Sequence, residues 1–328
     1  MTDKNCLICN YKIRVFVDFG MMPIANAFTK KPSFNNYLFD MKTGFCPKCN
    51  MVQLLNQPAK ELMFHNNYAF YSSTSNSMIS HFKKLSIDVE KKYLDSKNDL
   101  IIEIGSNDGI LIQNFKNKGY QCIGVEPSKN VADISVKKGI NTMNSFFDLD
   151  LANKILSTQG KAKIILSANV LCHIPYIHSI FEGIKNLMCD NGVYIFEDPY
   201  LGDVLAKTSF DQIYDEHVFL FSALSVRNLA KLYDLEIIDL SPQVTHGGSM
   251  RYTLAKEGVY KISKNVEKII SNEINMGLND YSSFNKFSDN IDNIGKELIN
   301  LLTKLKKQGK KIVGYGATSK STTVNNYF

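Results

Sequence analysis

A chain of 328 residues, 44% apolar and 21% charged, has the length of two or three compact units and the balance of an ordinary globular protein. No apolar run reaches membrane-spanning length, and the N-terminus, Met1-Thr2-Asp3-Lys4-Asn5, lacks the apolar core of a secretory leader, so no membrane partner is expected and the cytoplasm is the expected compartment. The net charge of +6 is mild, and its densest cluster (Lys304, Lys306, Lys307, Lys310 and Lys311) reads as the solvated face of a helix, so no nucleic-acid partner is expected either.

The chain opens with two matched pairs, Cys6-Leu7-Ile8-Cys9 and Cys46-Pro47-Lys48-Cys49. Each spacing makes a tight turn whose thiolates converge, and two such turns supply the four soft ligands of tetrahedral zinc. Four thiolates fill the coordination sphere, so the metal is expected to be structural, holding together a segment with few apolar residues of its own. The remaining cysteines, Cys122, Cys172 and Cys189, read as small buried residues. Residues 1–65 are taken as a zinc-binding domain, 66–255 as an α/β core, and 256–328 as a helical segment that leads into a further unit.

In the core, Asp99 to Ile104 reads as a buried strand running into the turn Gly105-Ser106-Asn107-Asp108-Gly109, with a helix after it. A second apolar strand, Gln121 to Val125, ends in Glu126-Pro127, where a carboxylate can accept both hydroxyls of a ribose. The turn lacks the second glycine that admits a pyrophosphate, and Asp108 suits an ammonium group better. A Glu103-x-Gly105-x-x-x-Gly109 loop with Glu126 on the next strand therefore favours S-adenosylmethionine over a nicotinamide dinucleotide. Glu103, Gly105, Asn107, Asp108, Glu126 and Pro127 are the cofactor candidates. A fourth strand, Ile164 to Ala168, leads into Asn169-Val170-Leu171-Cys172-His173, which places Asn169 and His173 near the reacting centre; Gly192 to Pro199 supplies a fifth strand.

Next, Phe210-Asp211-Gln212-Ile213-Tyr214-Asp215-Glu216-His217 gathers a phenol, carboxylates and an imidazole in eight residues. This composition serves either proton chemistry or a polar network that anchors a loop. Two helical stripes follow, Ile262, Val266, Ile269, Ile270, Ile274 and then Ile291, Ile294, Leu298, Leu301, Leu302, Leu305, before a predicted strand at Lys310 to Lys320.

Taken together, these motifs resemble the three-domain sugar C-methyltransferases of deoxysugar biosynthesis. The resemblance rests on the cysteine pairs, Tyr68-Ala69-Phe70-Tyr71-Ser72-Ser73, the cofactor loop, Asn169 to His173, Tyr214-x-Glu216-His217, His246-Gly247-Gly248-Ser249-x-Arg251 and Gly314-Tyr315-Gly316-Ala317-x-x-Lys320. It implies a class I, Rossmann-like methyltransferase core with a small zinc domain before it and the start of a second Rossmann-like domain after it. It also implies methylation of C3 in a nucleotide-linked 4-keto sugar. His217 would be the general base, Glu216 and Tyr214 its partners, His173 a substrate contact, and Tyr71 a neighbour of the transferred methyl. Tyr68 and Asn169 would join the cofactor site, and His246, Arg251, Tyr315 and Lys320 the substrate site. Two departures stand out: Asp215 occupies a position where many members of the family carry histidine, and the family's second Rossmann-like domain continues beyond the part present here. These departures keep open O- or N-methylation of another small metabolite, and a zinc-bearing cofactor-binding scaffold.

Overall fold

The computed structural model describes residues 4–28, 37–64, 68–316 and 318–328; Ala317 of the terminal glycine motif lies outside them. The N-terminal unit is built on three antiparallel strands, β1 (Arg14–Pro23), β2 (Leu38–Phe45) and β3 (Val52–Leu54). A short helix, α1 (Lys60–Met63), leads out of it, and α2 (Asn76–Tyr93), capped by the Ser75 side chain, opens the core.

The core alternates strands and helices: β4 (Leu100–Ile104), α3 (Gln113–Lys116), β5 (Gln121–Val125), α4 (Lys129–Lys137), β6 (Thr142–Met143), α5 (Leu149–Gln159), β7 (Ala162–Ala168), α6 (Ile177–Leu187) and β8 (Met188–Pro199). Then come α7 (Leu201–Lys207), β9 (Phe219–Leu220), α8 (Ala223–Lys231), β10 (Leu235–Gln243) and β11 (Ser249–Lys256). The central sheet has the order β10-β11-β8-β7-β4-β5-β6, with β8, β7, β4, β5 and β6 parallel and β11 antiparallel to both neighbours. This is the doubly wound sheet of the class I methyltransferases expected from the sequence. Its strands read as continuous apolar runs because both faces are covered. On one face Phe82, Leu85 and Val89 of α2 pack on Ile101, Ile164, Leu166, Val193 and Ile195; on the other, α5 and α6 cover Ile102, Ile165, Tyr194 and Phe196.

Two features were not legible in the pattern. β9 leaves the core and pairs with β3, so the N-terminal sheet has the order β1-β2-β3-β9 and takes its fourth strand from the segment after His217. The helices α9 (Lys264–Asn275) and α10 (Tyr281–Lys307) form as their periodicity predicts, but α10 is buried at its start, not along its later stripe. Phe284 stacks on Phe45 at 4.5 Å between ring centres and lies 5.0 Å from Phe16, while Leu301 stays exposed. Helix α11 (Ser319–Tyr327) ends the chain, and the ring of Phe328 fills the space that a side chain at Gly295 would need.

The strand expected from Lys310 to Lys320 does not form: Ile312, Val313 and Tyr315 are exposed, no strand of the described residues pairs with residues 310–316, and Ser319 already begins α11. A strand without a sheet has no partner for its backbone groups.

Candidate active site

The sheet order reverses between β4 and β7, and a cleft opens there at the carboxyl ends of the strands. It encloses about 980 Å³ of space between the turns at Gly105 and Asn107, Glu126 and Pro127, Phe146 and Phe147, and Ala168 to Val170. Gly105 has φ of +67°, and a Cβ there would lie 2.3 Å from Val170 Cγ2, so only glycine fits the wall. Asn107, also left-handed, donates its N–H to Glu126 Oε2 at 3.0 Å, and Ser128 donates to Glu126 Oε1 at 2.8 Å. These bonds fix the carboxylate at the rim of the cleft, although burial raises its pKa.

Not all of the cofactor candidates reach this wall. Asn107, Pro127, Asn169 and Tyr68 line it. Glu103 is fully buried and instead accepts the N–H of Ile112 at 3.0 Å, tying β4 to the following turn. Asp108 turns to the backbone of Ser73 at 3.1 Å and lies 3.9 Å from Lys138. Tyr71 gives its hydroxyl to Asn130, whose amide donates to it at 2.6 Å. Phe64, Phe146, Phe147 and Tyr176, which sequence reasoning left aside, supply the aromatic part of the wall, with the Lys60 ammonium 4.3 Å from the Phe146 ring centre. A nucleoside fits these surroundings: apolar rings for a base, and a fixed carboxylate for ribose hydroxyls.

Behind the wall, the Tyr214–His217 cluster is assembled as a buried network. His217 donates its Nδ1–H to the Gln212 carbonyl at 2.7 Å, which leaves Nε2 as an acceptor for the Tyr214 hydroxyl at 3.0 Å. His173 donates its Nδ1–H to the Glu216 carbonyl at 2.8 Å and presents its other edge to the cleft. The two imidazole rings are 5.1 Å apart. Burial lowers both pKa values, that of His173 to about 4, so both rings are neutral bases at neutral pH. Burial also pushes Glu216 up to about 7 and Asp215 to about 6. Cys172, read from the sequence as an ordinary buried residue, is buried but borders both histidines.

The motif after β10 divides. His246 lines the cleft with φ of +54°, and its carbonyl accepts from Gln212 Nε2 at 2.6 Å and from Lys320 Nζ at 3.4 Å. Arg251 instead pairs with buried Glu197 at 2.5 Å on the α2 face of the sheet, where His81 meets the same carboxylate at 2.6 Å. Its guanidinium is already spoken for, and it does not line the cleft. Tyr315 is fully exposed, because the strand that would carry it inward is absent.

In the N-terminal unit, Cys6 and Cys49 Sγ are 3.5 Å apart and Cys9 and Cys46 Sγ 3.4 Å apart, with all four sulfurs clustered within 4.8 Å. Tetrahedral zinc with bonds of about 2.3 Å needs sulfur separations of roughly 3.8 Å, so small outward shifts admit the ion. The two turns match: Asn10 and Asn50 follow the pairs in left-handed conformation, and their N–H groups close on the carbonyls of Cys6 and Cys46, both at 2.9 Å. The repeated Cys-x-x-Cys-Asn was a sequence signal for this geometry.

Comparison with known proteins follows the same division. A zinc binding domain matches residues 6–64, a methyltransferase domain residues 78–240, and a C-methyltransferase C-terminal domain residues 244–328. Among curated proteins, C-methyltransferase NovU of Streptomyces niveus is 26% identical over 324 residues, covering 97% of this chain and 77% of that protein. Among solved structures, the magnesium protoporphyrin IX methyltransferase of Synechocystis with bound SAH is 14% identical, with a TM-score of 0.42 over 55% of this chain and 83% of that one. An S-adenosylmethionine-dependent methyltransferase from Clostridium acetobutylicum is 14% identical, with a TM-score of 0.43 over 55% of this chain and 92% of that one.

Proposed function

We propose that this chain, an S-adenosylmethionine-dependent methyltransferase of the C-methyltransferase family, methylates a carbon next to the ketone of a nucleotide-linked keto sugar, with His217 as the general base. The observation that carries the reading is the neutral His217 imidazole, whose Nδ1–H is pinned to a carbonyl and whose Nε2 lone pair meets the Tyr214 hydroxyl.

S-adenosylmethionine, when bound, supplies an electrophilic methyl on a cationic sulfur. Gly105, Asn107, Glu126, Pro127, Asn169 and Tyr68 would hold it. For His217 to act, the Tyr214 hydroxyl would turn from Nε2 toward the acceptor; that nitrogen would then take the proton from the carbon alpha to the ketone, and the C–H pair would pass into the enolate. Tyr214 would steady the developing charge, and His173, which lines the cleft, would fix the acceptor with Glu216 behind it. The enolate carbon would be the nucleophile for the methyl that the cofactor supplies, and the residues that hold the two reactants would set the line of approach. Alignment of two reactants accounts for on the order of 7–11 kcal/mol of such a barrier. His246, which lines the cleft, and Lys320, bonded to its carbonyl, would bind the polar part of the acceptor.

The test is incubation with S-adenosylmethionine and a panel of nucleotide-linked keto sugars, with the product read by carbon–proton correlation NMR. A new methyl on ring carbon is expected. A methyl on oxygen or nitrogen, or turnover only with acceptors that lack a carbonyl, would overturn the reading.

A further inference from the structure

Two arms reach the loop of Tyr214 to His217 from outside the core. From the N-terminal unit, the turn after β1 brings the Ala25 N–H to Asp215 Oδ1 at 3.0 Å and the Asn26 amide to Glu216 Oε1 at 2.5 Å. Gln57 of the same unit donates to the carbonyls of Asp215 at 3.2 Å and His173 at 3.3 Å. From the C-terminal side, Ser319 at the start of α11 donates its hydroxyl to Asn26 Oδ1 at 3.0 Å. The Asn26 side chain is therefore used at both ends. Its oxygen takes the Ser319 hydrogen, so its nitrogen must face Glu216, and its orientation is fixed by the network.

Glu216 is 2% exposed. Around its carboxylate stand the Tyr68 hydroxyl at 3.5 Å and His173 Nδ1 at 3.9 Å, with Asp215 beside it and Tyr214 and Cys172 within electrostatic reach. None of these is a cation at neutral pH: burial pushes the phenols and the thiol up and the imidazole down. Among the described residues, no lysine or arginine pairs with Glu216, and the Asn26 amide is its shortest hydrogen-bond donor.

We propose that Asn26 is a positioning residue of the active site, whose amide holds Glu216 as an acceptor aimed between Tyr68 and His173. The N-terminal unit thus takes part in setting up the chemistry as well as in building the fold. The inference rests on the reading of Glu216 as the partner that supports Tyr68 and His173, the two groups beside it that line the cleft. Asn26 touches neither substrate nor cofactor; it acts through Glu216.

The test uses the full chain with glutamate carboxyls labelled with carbon-13. The Glu216 signal is identified by its loss in Glu216→Gln, and its titration midpoint is read in wild type, Asn26→Ala and Asn26→Asp. The midpoint should rise by at least one pH unit in Asn26→Ala. It should rise further in Asn26→Asp, which keeps the shape and places a second carboxylate against the first, so that the two share a proton. With a turned-over acceptor, kcat should fall at least tenfold in both variants, the acid limb of the pH profile should move up with the midpoint, and affinity for S-adenosylmethionine should stay within twofold. An unmoved midpoint in both variants overturns the proposal, as does a loss of kcat matched by an equal loss of cofactor affinity. Should Asn26→Ala fail to fold, Asn26→Asp alone decides. The midpoint needs no acceptor: if it moves while wild type methylates no keto sugar, the substrate reading fails and the positioning role stands.

Discussion

In the proposed reaction, two imidazoles and a carboxyl would carry most of the chemistry at the scale of single residues. Both histidines give a ring N–H to a backbone carbonyl, which selects the tautomer before any substrate arrives. His217→Ala should lower kcat by about 10²–10⁴-fold, the usual contribution of a general base, while leaving affinity for S-adenosylmethionine within twofold by calorimetry. A second group is set mainly by burial, with the Glu197 carboxylate adding to the rise. Asp198, fully buried beside Cys172, has its carboxyl raised from the ordinary 3.8 to about 7. Its charged form is disfavoured in the fold, so the stability it allows is complete below the ordinary carboxylate range and is lost as pH rises through about 7. Asp198→Asn should therefore flatten the fall in melting temperature between pH 5 and pH 8; an equally steep fall in the variant would assign the dependence elsewhere. His173 runs the other way, losing stability as pH falls from about 6.5 toward about 4. The types of residue in this cluster were legible, since Tyr214, Glu216 and His217 fall within one short segment, but that composition serves proton chemistry and a polar anchor alike, and the roles of these residues and of His173 came from the resemblance. Their supports were not. Asn26 and Glu216 lie 190 positions apart, and no local pattern links them. Arg251 shows the reverse: its type suggested an anionic ligand, and the fold had already given it Glu197.

The helices and strands were easier to read than the contacts they make. Continuous apolar runs marked β4, β5, β7 and β8, because a strand covered on both faces has no polar side to display. The stripe along α10 showed that a helix would form but not which of its turns would be covered, since periodicity names a face and not a partner. The antiparallel β9 was invisible, two residues being too short for any period. One joint between elements invites a measurement. Glu273 of α9 is completely buried and accepts the N–H groups of Ala223 and Leu224, at 2.6 and 2.8 Å, capping the first turn of α8. Removing it leaves two buried donors unpaired. Glu273→Ala should cost about 2–4 kcal/mol in denaturant unfolding, while Glu273→Gln, which keeps an oxygen, should cost less. Equal losses would show that only the volume of the side chain matters.

For the whole molecule, zinc, sheet and catalytic loop form one connected system. The four cysteines hold the N-terminal unit, whose strand β3 pairs with β9, two residues beyond His217. Cys46→Ser should reduce bound zinc from one ion per chain, lower the melting temperature and, because the loop loses its supports at Ala25, Asn26 and Gln57, lower kcat as well. Elemental analysis, calorimetry and turnover on one preparation check all three; full activity with zinc absent would separate the metal from the site. The borrowed strand also sets the unit of inheritance. A chimera that exchanges residues 1–64 for those of a relative would keep the wrong partner for β3 unless residues 210–221 travel with them. In a lineage assembled by recombination, the smallest cassette that can be swapped without repair is therefore discontinuous in the gene, and crossovers between its two parts should survive only when their parents already agree at that seam.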